Sequence, residues 1–139
     1  MIVNAEGLVA GRLASKVAKA AINGEDVVII NAEKVVLVGK QTAIMPKFKQ
    51  RVEAAVKSNP HYGPKYDRIP SKMLRRMIKG MLPNKSRTAE KLLKQISIYN
   101  LTTEKVDTTK AITIEEIKCN QKHDFMLLGD VAKALGGKW

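Results

Sequence analysis

The chain has 139 residues, a formal net charge of +12 at pH 7, 45% hydrophobic residues and a single cysteine. This length and hydrophobic content fit one compact domain and exclude wholesale disorder. The apolar runs are far shorter than the ~20 residues that span a bilayer. The first residues predict no secretory signal and Cys119 can form no internal disulfide, so we expect a reduced, cytoplasmic protein.

The charge is concentrated in the middle of the chain. Residues 40–91, called the basic segment below, hold fourteen basic and three acidic side chains, a net charge of +11. Residues 1–39 and 92–139 have net charges of 0 and +1. Crowded like charges destabilise a compact state, so a polyanionic partner is the natural compensation. A merely solvated basic face is the alternative, but an even scatter of lysines would fit that alternative better.

The first forty residues predict a strand, a helix and two further strands. Residues 2–5 read as a short strand, and apolar residues from Leu13 to Ile22 recur at helical spacing. Two β-branched runs, 27–31 and 35–39, then predict buried strands. A strand, an amphipathic helix and a buried strand are typical of a βαβ unit, so we predict an α/β fold.

The basic segment predicts two helices separated by a loop. Residues 47–57 read as a thinly apolar helix, and residues 59–68 form a loop rich in proline and glycine. Pro70 suits the first turn of the next helix, because its missing N–H has no partner there in any case. The side chains that this helix is expected to bury are Met73, Leu74, Met77, Ile78 and Met81.

The C-terminal part predicts a helix around residues 89–93, a fourth strand over 96–99 and a closing helix over 127–135. The sequence has no internal repeat and requires no second domain. We therefore expect a single α/β domain over residues 1–139, with a C-terminal tail over 100–139.

Two patterns could indicate a catalytic or metal site, and each has a simpler interpretation. The turn from Gly7 to Gly11 lacks the residues of a Walker A loop or a dinucleotide fingerprint, although a helix N-terminus beside Arg12 could receive a phosphate. Cys119 and His123 stand four residues apart, but structural zinc needs four ligands and a nucleophile needs an orienting partner. We predict no catalytic residues, no metal and no cofactor; the alternative is a small α/β enzyme that acts on a nucleotide or nucleic acid.

Cations interleaved with aromatic rings distinguish the loop over residues 59–68. Tyr62 and Tyr66 stand there among Lys57, Lys65 and Arg68. This pattern suits RNA, because unpaired bases stack on rings while phosphates pair with basic side chains. Each ring could equally pack on the protein's own surface, and the sequence leaves both alternatives open.

Three sequence blocks resemble the signatures of one known family. They are Gly11-Arg12-Leu13-Ala14-Ser15, the run from Val27 to Lys34, and Gly80-Met81-Leu82-Pro83. In this order, with basic residues between the last two, they are similar to the ribosomal protein L13 family of the large subunit, in its archaeal and eukaryotic branch. The resemblance extends from the first strand to Tyr99.

The resemblance implies a three-layer α/β/α fold with a small, mainly parallel four-stranded sheet. It implies a non-catalytic, structural constituent of the large ribosomal subunit that binds large-subunit rRNA, supports its assembly and resides in cytoplasmic ribosomes. The implied partners are that rRNA and neighbouring large-subunit proteins, with no membrane and no small-molecule substrate. The family's RNA-facing segment corresponds to residues 40–87, including a helix expected to present to solvent Lys72, Arg75, Arg76 and Lys79.

The predicted RNA-binding residues combine this segment with the first helix. Phosphate contacts would supply affinity, and RNA shape would supply specificity, because the A-form major groove is too narrow for direct reading. The predicted residues are Arg12, Lys16, Lys40, Lys47, Lys49, Arg51, Lys57, His61, Tyr62, Lys65, Tyr66, Arg68, Lys72, Arg75, Arg76, Lys79, Lys85 and Arg87.

Overall fold

The computed structural model of the chain describes residues 1–83, 87–101, 111–119 and 124–139. Within these residues, no helix is both long enough and apolar enough to cross a bilayer. The strands and helices follow in the order β1 (Ile2–Asn4), α1 (Ala10–Ile22), β2 (Val27–Ile30), β3 (Val36–Val38), α2 (Gln41–Glu53), α3 (Pro70–Lys79), α4 (Arg87–Lys94), β4 (Ile96–Ile98), β5 (Phe125–Leu127) and α5 (Leu128–Ala134).

A parallel sheet of three strands lies at the centre of the fold, in the order β1-β2-β4. Ile29 in the middle strand stands opposite Val3 on one side and Ile98 on the other. Ile29 and Val3 are fully buried, as expected for a β-branched strand between two neighbours. The predicted α/β class with a mainly parallel sheet is confirmed.

The third predicted strand leaves the parallel sheet. After β2, Asn31 adopts a left-handed conformation with a φ of 58°, and its side chain donates a hydrogen bond to the Oδ1 of Asn4 over 3.0 Å. A 3-10 turn over Ala32–Lys34 follows. β3 then pairs antiparallel with β5. The four predicted strands are therefore present, but only β1, β2 and β4 share the parallel sheet. β3 belongs to a separate antiparallel pair.

The core lies between the sheet and the helices, where α1 packs against α3. α1 buries Leu13, Val17 and four alanines. α3 buries larger side chains, namely Pro70, Met73, Leu74 and Ile78. Two residues predicted on buried faces are instead exposed, Ile22 and Met81. Ile22 ends α1 and Met81 lies beyond the end of α3, so helical periodicity no longer holds them against the core.

The first helix of the basic segment begins and ends earlier than predicted. α2 spans Gln41–Glu53 rather than residues 47–57, and Pro46 lies inside it. Proline lacks the N–H that a helix interior uses, so it argues against a helix when the sequence is read alone. The buried side chains of α2 are Ile44 and Phe48.

The predicted closing helix is confirmed, and its end holds the chain before α3. Gly136 has a φ of 80° and its N–H binds the carbonyl of Lys133, while the N–H of Gly137 binds the carbonyl of Ala132. These two bonds form the Schellman motif that ends many helices. A Cβ on Gly137 would collide with the backbone carbonyl of Arg68, so glycine permits this close packing.

Candidate nucleic-acid interface

The N-terminus of α3 is held from the end of the parallel sheet. The residue that precedes α3, Ile69, has no side-chain oxygen to cap the helix. The backbone N–H of Ser71 donates instead to the Oδ1 of Asn100, over 2.7 Å. This bond satisfies one of the N–H groups that a helix start leaves without a partner. Because Asn100 lies two residues after β4, this bond ties the start of α3 to the end of that strand.

Arg75 turns its guanidinium group toward the protein. Its Nη1 donates to the carbonyl of Ile96 over 3.1 Å and its Nη2 to the carbonyl of Leu93 over 2.8 Å. These carbonyls lie where α4 ends and β4 begins, and the last carbonyls of a helix lack partners within it. The expectation that Arg75 faces solvent is therefore wrong. Arg75 ties α3 to the junction between α4 and β4.

Arg76, the next residue, is exposed and is held by a carbonyl and an aromatic ring. Its Nη1 donates to the backbone carbonyl of Lys65 over 2.9 Å, and its Cζ lies 4.6 Å from the centre of the Tyr66 ring. The Cζ of Arg51 lies 5.9 Å from the same ring centre and 5.7 Å from that of Phe48. The two rings meet edge to face with their centres 6.1 Å apart.

Phe48, Arg51, Tyr66 and Arg76 thus form an arginine–aromatic cluster that joins α2, the loop and α3. The Tyr66 ring is half-buried, so of the two alternatives left open for it, packing on the protein is the one observed. The contribution of Phe48 was not predicted. Its signal in the sequence is the spacing of three residues to Arg51, which places both side chains on one helix face.

The partners of Arg51 and Arg76 in the arginine–aromatic cluster carry no net charge. Ring faces and a backbone carbonyl attract a guanidinium group but leave its positive charge in place. A carboxylate partner would have held the arginine side chain in place but would also have neutralised its charge. The cluster therefore orders two cations without neutralising them.

Two neighbouring clefts lie beside α3 and share Arg76 and Gly80. The first cleft, of about 650 Å³, is lined by Asp67, Lys72, Arg75, Arg76, Lys79, Gly80 and Leu93. The second cleft, of about 460 Å³, is lined by Arg51, Ala54, Pro64, Lys65, Tyr66, Arg76, Met77 and Gly80. Among these lining residues six are lysine or arginine and one, Asp67, is a carboxylate. The clefts bring together seven of the predicted residues.

Carboxylates pair with few cations in the described part of the basic segment. The Nζ of Lys49 lies 3.8 Å from the Oε1 of Glu53, and the Nζ of Lys72 lies 3.8 Å from the Oδ1 of Asp67. All four side chains are more than half exposed, and exposed pairs of this kind interact weakly. Most of the segment's positive charge is therefore available to an outside partner.

The two predicted residues of the first helix lie apart from the clefts. Arg12 and Lys16 are exposed on α1 and line neither cleft. The Nζ of Lys16 lies 3.3 Å from the Oε2 of Glu116. Gly7 has a φ of 71°, as expected for a glycine that shapes the turn into α1.

The other described candidates are distributed along α2 and the loop that follows it. Lys40 immediately precedes α2. The Arg68 side chain lies beside Gly136 after α5, since its Nη1 is 3.5 Å from the position that a Cβ on Gly136 would occupy. Lys85 and His123 lie outside the described residues, and α4 begins at Arg87. The exposed residues of this group are Lys40, Lys47, Lys49, Lys57, His61, Tyr62 and Arg68.

The loop between α2 and α3 is fixed by its own hydrogen bonds. The Oδ1 of Asn59 accepts from the N–H of His61 over 3.0 Å and caps a 3-10 turn over Pro60–Tyr62. The Nζ of Lys65 donates to the carbonyl of Pro60 over 3.3 Å. Tyr62 is the last residue of this turn, and its side chain lies in solvent.

Burial raises the pKa of one carboxyl group, that of Glu33, which lies in the 3-10 turn after β2. Its Oε2 is buried and has no hydrogen-bond partner among the described residues. The turn packs closely on α5, since a Cβ on Gly129 would lie 3.0 Å from the carbonyl of Glu33. Glu33 lines neither cleft, so its pKa reflects this packing and does not indicate acid–base chemistry at the interface.

Comparisons with known proteins identify the family. The family model described as Ribosomal protein L13 matches residues 1–105. A large ribosomal subunit protein uL13 of Methanosphaera stadtmanae is 37% identical over 139 residues, which cover 99% of this chain and 98% of that protein. The protein of the same name from Methanocaldococcus jannaschii is 39% identical over 127 residues (84% and 93%), and that from Thermoplasma acidophilum 32% over 136 (98% of each). The chain belongs to the ribosomal protein L13 family, as the resemblance of its sequence blocks predicts.

Proposed function

We propose that this protein is a structural, non-catalytic constituent of the large ribosomal subunit that binds large-subunit rRNA and supports its assembly. Family membership supports this role, since its relatives carry the name large ribosomal subunit protein uL13. Its partners are that rRNA and the neighbouring large-subunit proteins. Its location is the ribosome, in the cytoplasm.

The main support from the structure is the pair of clefts beside α3, lined by six cations and one carboxylate, where a carbonyl and aromatic rings hold Arg51 and Arg76 without neutralising them. Each phosphate that enters such a cleft releases a condensed counterion, which makes binding favourable and sensitive to salt. Arginine suits this task, because its planar guanidinium group can donate two parallel hydrogen bonds to a phosphate. Arg76 stands between the two clefts and would contact the backbone in either of them.

Residues 1–139 act as one RNA-binding domain in this proposal. Support comes from the hydrophobic core, which contains buried residues from Val3 to Ala132. The predicted RNA-binding residues outside the clefts extend the positive surface along α2 and the loop. Arg12 and Lys16 would contact a separate part of the RNA, because they lie on α1 and line neither cleft.

Sedimentation tests the ribosomal assignment. Protein in an extract of the source organism should co-migrate with large subunits through a sucrose gradient and stay bound in high salt, because several phosphate contacts act together. Recovery at the top of the gradient at every salt concentration would contradict the proposal.

A binding titration tests the RNA contact itself. The logarithm of the binding constant for large-subunit rRNA should fall by several units for each tenfold rise in salt concentration, and this value is called the salt slope below. Excess mononucleotide should not compete with the rRNA. If a mononucleotide bound saturably and displaced the rRNA, the result would favour the alternative function, a small α/β enzyme that acts on a nucleotide or nucleic acid.

A further inference from the structure

We infer that the ring of Tyr62 stacks on an unpaired base of the bound RNA, next to a duplex whose phosphates occupy the clefts beside α3. This inference rests on the proposed function and assigns a class of nucleotide to one side chain. It distinguishes Tyr62 from Tyr66, whose ring is engaged within the arginine–aromatic cluster.

The exposure of Tyr62 is the first observation. Tyr62 is 81% exposed, the highest value among the exposed large hydrophobic residues of the described chain. Covering an exposed aromatic surface lowers the free energy of the system, because apolar area is removed from water. An aromatic ring also has a flat face on which any base can stack. The Tyr62 ring is therefore accessible to a partner, whereas the Tyr66 ring contacts Phe48 and Arg76 within the protein.

The hydrogen bonds within the loop are the second observation. The Asn59 cap and the bond from Lys65 to the carbonyl of Pro60 fix the turn that carries Tyr62. Gly63 rests against the chain after α2, since a Cβ there would lie 2.9 Å from the Cα of Ala55. A platform fixed before binding loses little conformational entropy when a base stacks on it.

The charge around Tyr62 favours RNA over a protein partner. Residues 54–66 contain Lys57, His61 and Lys65 and no carboxylate. Pro64 and Lys65 line the second cleft, and the Cα of Pro64 lies within ~8 Å of that of Tyr62, because two peptide units separate them. A phosphate in the second cleft would thus place neighbouring nucleotides close to the ring.

The base must be unpaired because of duplex geometry. Both faces of a base inside an A-form duplex are covered by its neighbours, and proteins reach such duplexes through phosphates and 2′-hydroxyls. A bulge, an internal loop or a junction exposes a free base face beside duplex phosphates. The structure thus fits a junction in which cations contact the duplex and Tyr62 contacts the nucleotide that leaves it.

Three proteins test this inference against one rRNA fragment that the unmodified protein binds: the unmodified protein, Tyr62→Ala and the matched control Tyr62→Phe. The alanine variant should bind about 5- to 150-fold more weakly, which corresponds to the 1–3 kcal/mol of one stacked base. The phenylalanine variant should bind within about twofold of the unmodified protein, because it keeps the ring. The salt slope should not change in either variant, because no charge is removed, and thermal unfolding should confirm that both fold.

Several results would overturn the inference. If Tyr62→Ala bound RNA as tightly as the unmodified protein, the ring would not stack on a base, and the proposed function would stand. If that variant bound RNA normally but entered large subunits poorly, the ring would contact a neighbouring protein. If the unmodified protein bound no rRNA, the proposed function would fail, and this inference with it.

Discussion

Residues 1–39 and the part of the basic segment from Lys40 to Pro83 both place an amphipathic helix on the same core, but they treat their cations differently. In the first region Lys34 has a carboxylate partner, with its Nζ 3.0 Å from the Oε1 of Glu6. In the second region the closest partners of Arg75 and Arg76 are carbonyls and a ring. The second region therefore holds these two arginines without a carboxylate, although its Lys49 and Lys72 have exposed carboxylate partners.

This difference shows that net charge alone does not describe an interface. A charge can be cancelled where it stands, as at Lys34, or held in position for a partner, as at Arg76. Arg75 is a third case, because its guanidinium group serves the fold. Variants that change either the stability or the charge of one region measure how far the two regions differ.

The largest expected effect comes from the core that both regions share. Leu13→Ala should lower the free energy of unfolding by roughly 2–5 kcal/mol, because it removes a fully buried side chain of α1 and leaves a cavity. Denaturant unfolding measures this change. The folded fraction should bind RNA with an unchanged salt slope, and a lower slope would show that the two regions are not separable in this way.

Two adjacent arginines should differ in what they stabilise. Arg75→Gln should lower the free energy of unfolding by about 1–3 kcal/mol, because its two carbonyl partners lose a charged donor. Arg76→Gln should cost less, about 1 kcal/mol, because its hydrogen bond to the Lys65 carbonyl and its contact with the Tyr66 ring are both exposed to solvent. The Arg76 variant should also lower the salt slope of RNA binding by about one unit.

Urea unfolding and salt titrations of both variants measure these differences. Equal losses of stability in the two variants would contradict the distinct roles of Arg75 and Arg76.

A smaller effect is expected at Glu33 in the first region. Burial raises the pKa of its carboxyl group in the folded protein, although a hydrogen bond from its own backbone N–H and the nearby Lys34 act in the opposite direction. The protonated form is therefore favoured by folding, so this contribution to stability is present below the unfolded-state pKa and is lost as the pH rises through the folded-state pKa.

Glu33→Gln should accordingly be more stable than the unmodified protein at neutral pH, and this advantage should vanish at acidic pH. Urea unfolding at several pH values measures the difference. A variant that is less stable at neutral pH would show that contacts of the carboxylate outweigh its burial.

The smallest expected effect concerns a cation that already has a carboxylate partner. Lys16→Gln should change the free energy of unfolding by less than about 1 kcal/mol, because its pair with Glu116 is exposed. It should lower the salt slope of RNA binding by less than Lys79→Gln does, since Lys79 lines the first cleft without a carboxylate partner among the described residues. An equal change in both slopes would place α1 in the interface as firmly as α3.

The sequence predicted those parts of the fold that depend on local periodicity. α1, β2 and α3 were recognisable because their apolar residues repeat at the spacing of one element. The pairing of β3 was not predictable, because it depends on β5, which lies far along the chain. The start of α2 was not predicted, because a proline such as Pro46 argues against a helix. The helix nevertheless begins at Gln41 and continues through Pro46.

The candidate site was predictable in composition but not in geometry. The charge pattern located the basic segment, and the resemblance to the L13 family identified the helix of residues 72–79 within it. Nothing in the sequence distinguishes Arg75 from Arg76, because the direction of a side chain depends on carbonyls brought by α4 and β4. The same holds for Tyr62 and Tyr66, since Phe48 and Arg51 come from another helix.

The salt dependence of RNA affinity tests most directly whether the cations beside α3 bind phosphates. Arg76→Gln/Lys79→Gln removes two charges that line the first cleft and have no carboxylate partner among the described residues, and Lys19→Gln/Lys133→Gln removes two exposed charges from α1 and α5. We expect the first double variant to lower the log–log slope by about two units and the second to leave it nearly unchanged. Equal slopes in the two double variants would contradict a localised interface and would favour a diffuse basic field.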